Sequence, residues 1–168
     1  MLVLLALSVV ACAGESRDWK LAGPTMGTGY HITVAQVPDG VDRVELKAAI
    51  DAELAAVNQE MSTYIPDSEL MQFNAAPVGQ GVQVSAHLAD VIGRSLSIYR
   101  RSNGAFDVTV GPLVNLWGFG PKPEPEIVPS DAQIAELQQL VGSDALSLAG
   151  RRLSKSRAVV IDLSAIAK

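Results

Sequence analysis

Residues 28–37 (TGYHITVAQV) alternate, with Tyr30, Ile32 and Val34 on one side and His31 and Thr33 on the other. That two-residue period is the mark of a half-buried strand. Pro38, Asp39 and Gly40 supply a turn, and Asp42 followed by Glu45 has the capping-box spacing that opens a helix. Leu46, Ile50, Leu54, Val57 and Met61 then recur at helical intervals and predict its buried stripe. Pro66, Asp67 and Ser68 mark a loop, followed by a short helical turn through Leu70 and Phe73. Val82 and Val84 predict a brief strand. Ser85 caps a second long helix whose apolar side is Leu88, Val91, Ile92, Leu96 and Tyr99.

From Asn103 to Pro129 the periodicity stops. Glycines and prolines dominate, with Trp117 and Phe119 among them, and the stretch reads as one long structured loop. Such loops in compact domains are more often functional than idle. Ser130 caps a third helix, with Gln133 at the box position and Ile134, Leu137 and Leu140 directed inward. A strand near Ala145 to Leu148, a turn centred on Gly150 and a strand from Ala158 to Leu163 complete the pattern. The chain closes on IDLSAIAK, a strand running into what reads as the first turn of a helix. The class is mixed, α+β, with a sheet and packed helices; no internal repeat or low-complexity tract interrupts it.

Composition narrows the choices. The 168 residues suit one domain with a real core. Apolar residues make up 48% and charged residues 18%, which excludes global disorder. A net charge of -5 argues against nucleic acid as a partner. The first twelve residues, MLVLLALSVVAC, form an apolar run ending at the single cysteine, Cys12. This reads as a lipoprotein signal peptide over residues 1–12, with Cys12 the residue that becomes lipidated and 13–23 a polar spacer. No Lys or Arg follows Met1 within that run, unlike an ordinary signal. The competing reading is a buried strand with an inert thiol. A lone cysteine excludes a disulfide framework and a Cys-rich metal site. His31 and His87 are isolated and read as surface residues, and no phosphate loop, dinucleotide fingerprint or nucleophile elbow is present.

Four stretches carry the remaining information: PTMGTGY (24–30), MSTYIPDSELMQFN (61–74), GAFDVTVGPLVNLWGFGP (104–121) and IDLSAIAK (161–168). One at a time, Met26, Phe106 and Trp117 are core types, Tyr64 a boundary residue, Asp107 a turn cap and Lys168 a chain end. Together, in this order and spacing, the four stretches closely resemble the ApbE family of FAD:protein FMN transferases, from about Pro24 to the last residue. The third stretch, eighteen consecutive residues, is the most specific.

The resemblance implies a T-fold-like flavin transferase domain over 24–168, incomplete at its C-terminus, since similar members run to about twice this length. It implies FAD as the substrate and Mg²⁺ as the metal. FMN would move to a Ser or Thr hydroxyl of a target protein, with release of AMP. Met26 matches a residue packing on the flavin and Tyr64 a cofactor contact. Ala105, Phe106 and Asp107 match the segment that wraps the nucleotide. Asp162 and Lys168 match FAD contacts, and the Ala165 backbone carbonyl matches a metal ligand. Further metal ligands, and the residues engaging the target, are expected in a C-terminal half beyond Lys168. Two alternatives stay open: a non-catalytic FAD-binding periplasmic lipoprotein, and a Mg²⁺-dependent FAD pyrophosphatase. The expected location is the periplasmic side of a bacterial envelope, anchored to the inner or outer membrane, with Ala13 after Cys12 resembling outer-membrane lipoproteins. An open edge at Ala158 to Leu163 and poor solubility are expected of these residues alone.

Overall fold

A computed structural model describes residues 18–121 and 128–167. Two compact units divide the chain, Met1–Asp51 and Ala52–Lys168. The signal reading and Cys12 lie outside the described residues, as does Lys168.

The described residues of the first unit form a hairpin followed by the beginning of a helix. Strands β1 (Trp19–Thr25) and β2 (Thr28–Val34) pair antiparallel, with Leu21 opposite Ile32 and Gly23 opposite Tyr30. Met26 and Gly27 join them with φ of 49° and 71°. Two consecutive left-handed residues make the turn whose twist matches a hairpin, and Gly27 takes its place without strain. Trp19 to Gly23, read from the sequence as the end of a spacer, is therefore strand. Gly and Pro disguise the pattern. Gly23 is needed because a Cβ there would lie 2.7 Å from the Tyr30 ring. β2 also stops earlier than its alternation predicts, ahead of Gln36 with φ 51°. Helix α1 (Arg43–Met61) begins as expected, with Asp42 Oδ1 accepting from the N–H groups of Val44 and Glu45 at 2.8 and 2.9 Å. Tyr30 donates its hydroxyl proton to Asp51 Oδ1 at 2.6 Å, and Lys47 lies 2.7 Å from Asp51 Oδ2.

The second unit builds around a three-stranded antiparallel sheet in the order β3 (Val82–Gln83), β5 (Arg152–Lys155), β4 (Leu146–Ala149). Helices α2 (Glu69–Ala75), α3 (Ala86–Arg101), α4 (Gly111–Leu116) and α5 (Asp131–Gln138) accompany it. Ser68, Ser85 and Ser130 cap α2, α3 and α5, each accepting from a backbone N–H three residues on. At α5 the Ser130 N–H in turn donates to Gln133 Oε1 at 3.0 Å and completes the capping box. The core gathers Leu70, Phe73, Leu88, Ile92, Leu153, Val159, Ile161 and Leu163. The class is α+β.

Four local expectations differ. The stretch 103–129 is not all loop, because Val110–Gly111–Pro112 starts α4, and proline suits a first helical turn where its absent N–H costs nothing. β5 escapes the alternation rule because Lys155, not an apolar residue, occupies its second inward position and is 5% exposed. Among the described residues, Ala158 to Leu163 joins no sheet, and its backbone forms one parallel bridge to another segment, Val110 to Val160. Leu140 lies beyond the end of α5 and is exposed, not inward.

Candidate functional site

Helix α3 ends where Asn103 and Gly104 both turn left-handed, with φ of 53° and 82°. The Gly104 N–H reaches back to the Tyr99 carbonyl at 2.9 Å, the long bond that closes a helix over a left-handed residue. Ser102 then holds the reversal, its hydroxyl accepting from the Phe106 N–H at 3.1 Å. Ala105 is exposed on this turn, while Phe106 is half-buried and packs against the core.

Asp107 anchors the segment leaving this turn. Its Oδ1 accepts from the Thr109 N–H at 2.8 Å, the Thr109 hydroxyl at 2.6 Å and the Ser143 hydroxyl at 2.6 Å, while Oδ2 accepts from the Ser143 N–H at 2.9 Å. Burial pushes this carboxyl up, but the hydrogen bonds from Ser143 and Thr109 outweigh it and hold it below the ordinary carboxylate value. Thr109 Oγ1 accepts in turn from the Gly142 N–H at 2.7 Å. Asp107 and Thr109 thus lock their segment to residues 142–143.

The locked segment lies beside the last residues of the chain. The Asp162 N–H donates to the Val108 carbonyl at 2.8 Å, and the Gly111 N–H to the Val160 carbonyl at 3.3 Å. Two stretches roughly fifty positions apart in sequence thereby run parallel, side by side. Gly111 permits the approach, since a Cβ there would stand 2.8 Å from the Val160 carbonyl oxygen. Asp162 is 8% exposed, and its Oδ1 accepts from the Ser164 N–H at 2.8 Å. Ile166 and Ala167 both donate to the Leu163 carbonyl at 2.9 Å, closing a tight turn that leaves Ala165 exposed.

Tyr64 belongs to the same unit, on the loop after α1. It is 61% exposed, and its hydroxyl donates to the Phe119 carbonyl at 2.9 Å. Phe119 follows the left-handed Gly118 that ends α4 and is 75% exposed; Trp117 is 46% exposed. Three open rings on one tethered pair of loops offer faces on which a flat π-system can stack. The family resemblance assigns no role to Trp117 or Phe119, although large aromatics in a glycine-rich loop are themselves a signal. Met26, in the first unit, occupies the hairpin turn. His31 and His87 are exposed as predicted, His87 with Nδ1 3.3 Å from Glu60 Oε2. Among the described residues no three His, Cys, Asp or Glu side chains cluster as a metal site. Ala165 offers one hard oxygen of the kind Mg²⁺ takes, yet these residues do not by themselves make a magnesium site.

A profile of the ApbE family matches residues 26–168. The chain belongs to the ApbE family. It is 41% identical over 170 residues to an FAD:protein FMN transferase of Vibrio cholerae, covering 99% of this chain and 51% of that protein. A Haemophilus influenzae FAD:protein FMN transferase is 43% identical over 175 residues, with 99% and 50% covered. Among solved structures, the flavin transferase ApbE from Vibrio cholerae superposes with a TM-score of 0.87 at 42% identity, over 91% of this chain and 50% of that one. The apo flavinyl transferase ApbE of Pseudomonas stutzeri gives 0.82 at 34%, over 90% and 49%. This ApbE chain therefore spans about half the length of these relatives.

Proposed function

We propose that this ApbE chain supplies the flavin-binding part of an FAD:protein FMN transferase. The observation that carries the reading is the pairing of 108–111 with 160–162, which sets the family's most specific stretch against the stretch bearing Asp162 and Ala165. In the proposed reaction a Ser or Thr hydroxyl of a target protein attacks the FMN-side phosphorus of FAD. A new P–O bond forms, the bridging P–O bond of the pyrophosphate breaks, AMP leaves with its electron pair, and the hydroxyl proton passes to solvent or a base. Tyr64 stacks on the FAD ring system and Met26 packs on the flavin. Residues 105–107 wrap the nucleotide, and Asp162 accepts hydrogen bonds from it. Lys168 meets the negative charge of FAD.

Magnesium, if bound, would neutralise phosphate charge. The Ala165 carbonyl is proposed as one of its ligands. The other oxygens would come from residues beyond those described and from FAD itself. Cys12 is proposed as the lipidated anchor that keeps the protein on the periplasmic side of the envelope.

Mass spectrometry of an acceptor protein incubated with the 168-residue chain, FAD and Mg²⁺ tests the division of labour. FAD retained by the chain with little FMN on the acceptor is expected. Robust attachment of FMN to a Ser or Thr by these residues alone would contradict it. Release of FMN free in solution would make the chain a pyrophosphatase instead.

A further inference from the structure

Asn74, next to last in α2, closes the second family stretch and is matched to no ligand contact by the family resemblance. Its Nδ2 donates to the Ile161 carbonyl at 2.9 Å, and its Oδ1 accepts the Ile161 N–H at 2.8 Å. Turning the amide over would face donor with donor and acceptor with acceptor, so one orientation alone satisfies both. In an extended chain, successive residues offer their N–H and C=O groups to opposite sides. Residues 160 and 162 bond Gly111 and Val108 on one edge, and Ile161 bonds Asn74 on the other. A single side chain thus does what a neighbouring strand would do. Lys155 steadies it from behind, its ammonium donating to the Asn74 carbonyl at 2.7 Å and the Phe73 carbonyl at 3.4 Å. Cations suit these last carbonyls of a helix.

We infer that Asn74 is a positioning residue for the ligand-facing turn at 162–165. By gripping both backbone groups of Ile161, it sets the direction in which Asp162 and Ala165 are presented. Ile161 is fully buried, so without that grip its N–H and C=O would be left unsatisfied in the core. The identity of the ligand as FAD rests on the proposed function; the grip itself does not.

Asn74→Asp separates positioning from simple packing. The carboxylate still accepts the Ile161 N–H but opposes the Ile161 carbonyl, whereas the protonated carboxyl donates to it and restores the pair. The charged groups nearby are Lys155, which favours the carboxylate, and Asp162, one residue past Ile161, which favours the acid. FAD binding, followed by flavin fluorescence between about pH 5 and pH 8, is expected to weaken about tenfold in Asn74→Asp at the upper end of that range. Most of the loss should return at the acid end, with the wild-type chain changing much less. Equal affinity to wild type at the upper end, or no recovery on acidification, would overturn the inference.

Amide hydrogen exchange gives a readout independent of FAD. Asn74→Ser, too short to bridge both groups, is expected to lose protection at 161–163 while β4 and β5 keep theirs. Unchanged protection at 161–163 would overturn the positioning role even if no flavin binds. If the wild-type chain fails to bind FAD while the exchange result holds, the functional reading falls and the positioning role stands.

Discussion

Asp107 takes four hydrogen bonds on two oxygens, from Thr109 and Ser143. Its folded-state carboxyl sits below the ordinary value, so its contribution to stability is complete above the unfolded carboxylate range near pH 4. That contribution disappears as pH falls through the folded value. Thermal melts between about pH 3 and pH 7 should therefore show Asp107→Asn less stable than wild type at neutral pH by about 2 kcal/mol, with the gap narrowing in acid. A constant gap across that range would speak against the charge. At this scale the sequence singled out Asp107 but not the hydrogen bonds it makes. The motif singled out Asp107 as a nucleotide contact, but Ser143 stands 36 positions away and no local pattern announces it. Asn74 was hidden for a similar reason: an asparagine near a helix end reads as a cap, while its partner lies 87 residues on.

Among the elements, those set by local chemistry were legible. The caps at Asp42, Ser85 and Ser130 hold helix starts as expected, and Ser68, read only as part of a loop, caps α2 as well. Elements set by long-range packing were not: β5 carries a buried lysine, and 158–163 is held by Asn74 and the 108–111 segment in place of a ladder. Two glycine substitutions distinguish these cases. Gly111→Ala would drive a Cβ to 2.8 Å from the Val160 carbonyl oxygen and 2.9 Å from its Cγ1. Denaturant unfolding is expected to show a loss of about 1–3 kcal/mol, because backbone must move. Gly93→Ala, inside α3, meets only Leu148 Cδ2 at 3.8 Å, an ordinary contact. It should stabilise the chain by about 0.5–1 kcal/mol through helix propensity. Reversal of the two signs would contradict the close approach of 111 to 160.

For the whole molecule, the four stretches are enough to mark the family, because segments far apart in sequence each leave a mark along the chain. The proposed lipid anchor at Cys12 belongs to this scale too. Cys12→Ser is expected to shift the protein from the membrane fraction to the soluble fraction of a bacterial host, and continued membrane association would count against lipidation. FAD binding with the exposed Tyr64 ring as a stacking surface is the core of the proposed function. Titration of the 168-residue chain with FAD, wild type beside Tyr64→Ala, tests it most directly through flavin fluorescence. Saturable binding is expected, weakened about tenfold by loss of the Tyr64 ring. No saturation in the wild type, or equal affinity in Tyr64→Ala, would contradict the claim.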